Sequence, residues 1–265
     1  MLYIIGQFHG LKSEDMGVNY NKYINACNYI MCDDKLFCKF RNRLDYKWVM
    51  DNVSEHIGLE CLEIVERDNP KLLSYLHKFA KSDLIGGPKT FKYDKFNIQL
   101  NSATCRYIKI LSDLINIFGS LNDLNIVEIG GGYGGQCKII YDVFKPKSYT
   151  IVDLHEPLLV TKKYLSYYKI YPTLRQTTDD SKIEYDLCIS NYAYSEIDRP
   201  YQDFYLENII SYTPKGYMIW NFIGQRSEVN AMTVEEFIEK IKHECLVLEE
   251  MPLTGSNKLI VWNII

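Results

Sequence analysis

The stretch Leu124-Asn-Ile-Val-Glu-Ile-Gly-Gly-Gly-Tyr-Gly-Gly-Gln136 decides the fold. A short apolar run carries one acidic residue, Glu128, and ends in five glycines within six positions. An apolar run of this length bounded by glycine predicts a buried strand. Glycine then allows a turn with positive φ, and it removes the Cβ that would hold a ligand away from the backbone. A helix opening at once after the turn offers free N–H groups and the positive end of its dipole to an anionic group.

Outward from this stretch the pattern alternates. Strands are predicted at 124–129, 148–153, 171–176, 185–190, 216–222, 245–250 and 258–264. Helices are predicted near 134–144, 156–168, 198–211 and 233–243. Such alternation implies a parallel, doubly wound sheet with helices on both faces. Only Met251 to Asn257 separate the last two strands, too few for a crossover helix, so they should form an antiparallel hairpin. The fold class is therefore α/β, a Rossmann-like sheet of seven strands ending in that hairpin. Upstream, residues 19–82 read as helical. Ser54 is placed to cap one helix, and Asn69-Pro70 to cap and open the next. Gly86-Gly87-Pro88 breaks the pattern, and 91–100 reads as extended or irregular. A helix from Ser102 should end at Gly119. Residues 1–100 are thus expected to form a helical extension and 101–265 the sheet domain. The extension is a candidate lid, substrate element or homodimer interface.

The chain has 265 residues, 47% hydrophobic and 24% charged, an ordinary globular composition. A net charge of −4 and a pI near 5.8 argue against nucleic acid as a partner, which would need concentrated Lys and Arg. Met1 to Ile5 are too few for a signal-peptide core, and no run reaches the ~20 apolar residues of a membrane span. A cytoplasmic location and no membrane partner are expected. Eight cysteines include no C-x-x-C pair, so they read as reduced thiols rather than a zinc site. The 22 tyrosines by composition alone carry no chemistry.

The glycines satisfy two patterns. Glu128, Gly130, Gly132 and Gly134 fit the E-x-G-x-G-x-G loop that cradles S-adenosylmethionine in Rossmann-like methyltransferases. Gly130, Gly132 and Gly135 fit G-x-G-x-x-G, the dinucleotide fingerprint of NAD(P) enzymes. The closing hairpin favours the methyl donor, because a dinucleotide fold would continue with a parallel strand. Glu128, Gly130, Gly131, Gly132, Gly134 and Gln136 are therefore candidate cofactor residues. Asp153, with Leu154 beside it, ends the second strand of the sheet, where a carboxylate can accept from a ribose diol. Asp179, in Thr177-Thr-Asp-Asp180, is a candidate for the adenine amino group, and a surface turn accounts for it as well. The fourth strand runs into Ser190-Asn-Tyr-Ala-Tyr-Ser-Glu196, and the fifth delivers Asn221 to the same rim. Asn191 is assigned to the cofactor, and Tyr192, Tyr194 and Asn221 to the acceptor. His155, two residues past Asp153, either works at the cleft mouth or starts a helix.

With these residues in place, 84–222 resembles the sugar O-methyltransferase family of class I, S-adenosylmethionine-dependent enzymes. The resemblance rests on Thr104–Leu114, Val127–Gln136, Ser148–Leu154, Ile189–Glu196 and Gly216–Met218. A proline is usual in that family where this chain has His155, and little of the resemblance covers 1–80. The resemblance implies methylation of a hydroxyl on a sugar or nucleotide-sugar, in glycan or polysaccharide biosynthesis. It also brings Arg106 to the cleft, to pair with the methionine carboxylate or an acidic group of the acceptor. A surface arginine is the alternative. A sugar hydroxyl is a weak nucleophile at neutral pH, so a general base is expected, Glu196 first and His155 second. A divalent ion on Glu196, Asp198 and Asn221 is an alternative that no ligand spacing supports.

Overall fold

The computed structural model describes residues 14–50, 52–177, 183–222 and 230–263. The extension opens with α1 (Glu14–Met31), α2 (Asp34–Phe37), α3 (Leu44–Met50), α4 (Glu55–Asp68) and α5 (Leu76–Phe79). A small antiparallel pair follows, β1 (Phe91–Tyr93) and β2 (Ile98–Leu100), where the sequence reads as extended. Then come α6 (Ser102–Phe118), β3 (Asn125–Ile129), α7 (Gly135–Val143), β4 (Ser148–Asp153), α8 (His155–Ser166), β5 (Thr173–Gln176) and β6 (Leu187–Asn191). The chain continues through α9 (Arg199–Asn208), β7 (Lys215–Trp220), α10 (Val234–Lys240), β8 (Cys245–Glu249) and β9 (Lys258–Asn263).

The large sheet has the order β5-β4-β3-β6-β7-β9-β8. The pairs among β3 to β7 are parallel, and β9 lies antiparallel to both β7 and β8. This is a Rossmann-like sheet of seven strands, with β9 of the terminal antiparallel hairpin inserted between β7 and the edge strand β8. Strand order reverses between β3 and β6, and ligands of open α/β sheets bind at such a switch point.

Side chains alternate across the sheet as the pleat requires. Ile126, Ile151, Ile189, Ile219 and Val261 face a core shared with α6, α7 and α8. Val127, Val152, Cys188, Trp220 and Trp262 face a second core under α9 and α10. The extension joins the first core. On α1, Tyr23, Ala26, Cys27 and Ile30 recur at helical spacing and are buried. Ser54 caps α4 through Ile57 N, as the sequence predicts. Asn69 does not cap. Its amide donates to Ser112 O, Ser112 Oγ and Asn116 Oδ1, so it staples the end of α4 to α6, and only a 3₁₀ turn follows. The cap of α6 is Asn101, whose side chain accepts from Ala103 N, and Gly119 ends that helix.

Arg41 is fully buried between the extension and the sheet domain. It donates to Ser82 O, Asp83 Oδ1 and Asn101 Oδ1, and its guanidinium lies 4.7 Å above the Tyr133 ring. No helix among the described residues is long and apolar enough to cross a membrane.

Candidate active site

The carboxyl ends of β3, β4, β6, β7 and β8 deliver Gly130, Asp153, Asn191, Asn221 and Glu250 to one rim. The glycine loop occupies its centre. Gly130 has φ 73°, and its N–H donates to Val152 O across the sheet. A Cβ there would sit 2.1 Å from Ala193 Cβ, so glycine lets the β6 loop lie directly on the β3 loop. Gly131 O accepts from Gly134 N, which closes the turn, and Gly134 caps α7 with φ 87°. Gly132 N donates to Asp153 Oδ2 at 3.1 Å, and Gly132 O accepts from Thr161 Oγ1 on α8.

Asp153 is buried. Leu154 N donates to its Oδ1 at 2.8 Å, while burial pushes its carboxyl up to about 6. Glu128 lies beneath the loop and accepts from Tyr149 Oη at 2.8 Å. Burial pushes its carboxyl from 4.5 up to about 7, and the Tyr149 bond partly opposes that. The linkage sign follows. Between those two values the folded protein holds a proton that the unfolded chain has lost, so stability falls as pH rises toward 7. The span corresponds to about 3 kcal/mol. Ligand-free Glu128→Gln should lose this slope, and thermal midpoints from pH 5 to 8 compare it with the wild type. Parallel pH curves for the two proteins would refute the assignment.

Gln136 departs from its expected role. Its Nε2 donates to Tyr107 O on α6, its Oε1 has no partner, and the side chain is buried between two helices. Asn191 fits better. It ends β6, and both its amide Nδ2 and Oδ1 are buried without a hydrogen-bond partner. Each such group costs about 1–3 kcal/mol unless something meets it. Asp179 lies outside the described residues.

On the acceptor side the structure joins two predicted residues directly. Asn221 Nδ2 donates to Glu196 Oε1, and both side chains are buried. Ser195 braces this corner: its Oγ donates to Tyr192 O and accepts from Asn221 N. Tyr192 has φ 71°, a strained conformation for a bulky residue. It is held by Tyr192 N to Ile219 O, by its hydroxyl on Glu250 Oε1, and by the Arg106 guanidinium 5.0 Å from its ring. Arg106 is buried rather than on the surface. Glu250 also accepts from Thr254 Oγ1 and Asn257 Nδ2.

Two assignments need correcting. Tyr194 does not face the acceptor. Its ring packs on Trp220 and Phe237 in the second core, and its hydroxyl donates to Gln202 O on α9. Tyr194 lies beyond β6, in a 3₁₀ turn that follows the positive-φ Tyr192, so the pleat no longer sets its side and it enters the core under α9. His155 is the first residue of α8 and is exposed, with Nδ1 3.4 Å from Gln176 Nε2 on β5. Its partner strand β5 lies on the side of β4 away from β3 and β6. Sequence reasoning missed Ala193, Thr161 and Glu250. The available signal for Glu250 was its place at the carboxyl end of a predicted strand. Among the described residues, no three His, Cys, Asp or Glu side chains are grouped to hold a metal ion.

No protein-family model matches this chain, and no curated protein matches it. Solved structures do. The PH0226 protein from Pyrococcus horikoshii OT3 is 12% identical over 60% of this chain and 89% of that one, with a TM-score of 0.47. An S-adenosylmethionine-dependent methyltransferase from Clostridium acetobutylicum ATCC 824 is 12% identical over 58% and 89%, with a TM-score of 0.46. CalS10 from Micromonospora echinaspora, an amino pentose methyltransferase with SAM bound, is 12% identical over 60% and 90%, with a TM-score of 0.46. At these identities and scores they assign no residue role and no substrate to this chain.

Proposed function

We propose that this chain is an S-adenosylmethionine-dependent O-methyltransferase acting on a sugar hydroxyl. The observation that carries the cofactor is the Glu128–Gly134 loop, bonded through Gly132 N to Asp153, at the switch point of a sheet closed by an antiparallel hairpin. The residues fit the group. The start of α7 suits the methionine carboxylate, Asp153 the ribose, and the unpartnered Asn191 amide the polar groups between them. Bound there, the cofactor would supply an electrophilic methyl group.

The chain's own part is alignment and one proton transfer. Glu196, held by Asn221, would take the acceptor's hydroxyl proton as the methyl group passes from sulfur to oxygen. Tyr192, Arg106 and Asn221 orient the acceptor. The sugar rests on the family resemblance of the Ile189–Glu196 stretch. A nucleotide-sugar would also bring a phosphate within reach of Arg106.

Thermal unfolding with S-adenosylhomocysteine, NAD and NADP as parallel ligands tests the cofactor. At 100 times its dissociation constant the homocysteine product should add about 2.7 kcal/mol, roughly 2–4 °C for a chain of this size. A shift with a nicotinamide nucleotide alone would overturn the reading. A panel of nucleotide-sugars with labelled methyl donor then tests the acceptor.

A further inference from the structure

Asn191 ends β6, beside β3 and its glycine loop. Leu187 and Ile189 point into the core shared with α6, α7 and α8. Alternation along β6 turns Asn191 to that same face. Neighbouring contacts fix its place. Ser190 Oγ donates to Ile129 O on β3, and Tyr192 N donates to Ile219 O on β7. Ala193 lies against Gly130. The amide itself is idle: Nδ2 and Oδ1 are both closed to solvent, and neither has a hydrogen-bond partner. Exchanging its nitrogen and oxygen changes nothing, because both are unmet. An asparagine so placed weakens the ligand-free fold, and an apolar residue of similar shape would not.

A partner for this amide must offer a donor and an acceptor side by side. The strand order β4-β3-β6 puts Asp153 and Asn191 on opposite sides of the glycine loop. With a ribose on Asp153, a ligand crossing the loop presents to Asn191 whatever its 5′ carbon bears. A dinucleotide presents a pyrophosphate, which has acceptors only and would leave Oδ1 unmet. The amino acid of S-adenosylmethionine presents an ammonium and a carboxylate on one carbon. We infer that Asn191 is the specificity residue for that amino-acid group, with Oδ1 accepting from the ammonium and Nδ2 donating to the carboxylate. The inference rests on the methyl-donor reading above and adds the group that distinguishes this donor from a nicotinamide nucleotide. Nδ2 and the start of α7 share the carboxylate, whose two oxygens have about four acceptor positions.

Calorimetric titration with two ligands separates this role from a structural one. S-adenosylhomocysteine carries the amino acid; 5′-methylthioadenosine has the same nucleoside and sulfur without it. The wild type should prefer the former. Asn191→Leu should weaken S-adenosylhomocysteine about tenfold or more, the effect of losing hydrogen bonds to charged groups. It should leave methylthioadenosine within about threefold. Its ligand-free unfolding midpoint should rise by about 2–4 °C, since two unmet polar atoms are gone. Asn191→Ala, which adds no bulk, should show the same loss of preference and no fall in midpoint. Equal affinities in the wild type would overturn the inference and leave the cofactor reading standing. So would variants that lose both ligands alike or keep the full preference. A fall in the ligand-free midpoint of both variants would also overturn it, because the amide would then be met within the fold. A wild type that fails to bind S-adenosylhomocysteine would remove both.

Discussion

Gly130→Ala is expected to cost this protein its cofactor, with at least a hundredfold loss of S-adenosylhomocysteine affinity. Two effects act together. At φ 73° any Cβ strains the backbone, by about 1–2 kcal/mol. The larger effect is steric. The new Cβ would lie 2.1 Å from Ala193 Cβ, and neither atom belongs to a flexible side chain. One loop must move. The β3 loop is tied to Val152 O and, through Gly132, to Asp153. The β6 loop is tied through Tyr192 to Ile219 O and Glu250. Overpacking of a well-packed site costs typically 1–3 kcal/mol, so a fall in the ligand-free midpoint should accompany the loss of binding. The pairing is testable within the same experiment. Ala193→Gly removes the opposing methyl, so the double variant should recover much of the affinity while keeping the φ penalty. Calorimetric titration of all three variants decides. A single variant that binds like the wild type, or a double variant no better than the single, would mean the two loops are not in contact as described.

Glu196→Gln should reduce kcat by 10²–10⁴ on whichever acceptor is methylated, the range for loss of a general base. Affinity for S-adenosylhomocysteine should stay within about threefold, since Gly132, Asp153 and Asn191 are the residues proposed for that ligand. Asn221→Ala leaves the carboxylate but removes the amide that fixes it, so its effect should be smaller and should shift the pH–rate profile. His155→Ala should be near neutral, because that side chain is exposed and turned toward Gln176. Full activity in Glu196→Gln would remove Glu196 as the base, and a collapse in His155→Ala would restore His155.

Much of the fold is legible in the sequence because the decisive signals are local. Glycines that end β3, the Ser54 cap and the length of the last connection each act within a few residues. Alternation along the strands separates the two cores without knowledge of what covers them. The site is less legible because it is built across strands. Tyr194 and Tyr192 stand two apart in one polar-aromatic stretch, yet one enters the second core and the other meets Arg106. Nothing local in the sequence says which. The role of Asn69 depends on two residues of α6, Ser112 and Asn116, and that of Glu250 on a tyrosine far away in the chain. Asp179 stays an expectation from sequence.

Arg41 carries one more implication. Its buried guanidinium lies on Tyr133, the one side chain inside the glycine turn, and its hydrogen bonds run to Ser82, Asp83 and Asn101. Phe40 beside it meets the same ring edge-on at 5.7 Å. The turn that faces the ligand is therefore clamped from behind by residues of the N-terminal extension. Order around Arg41 and Phe40 and order in the glycine turn are thus coupled. Sequence drift in a region with no chemistry of its own would register as altered cofactor affinity, and ligand binding would stiffen helices that never touch the ligand.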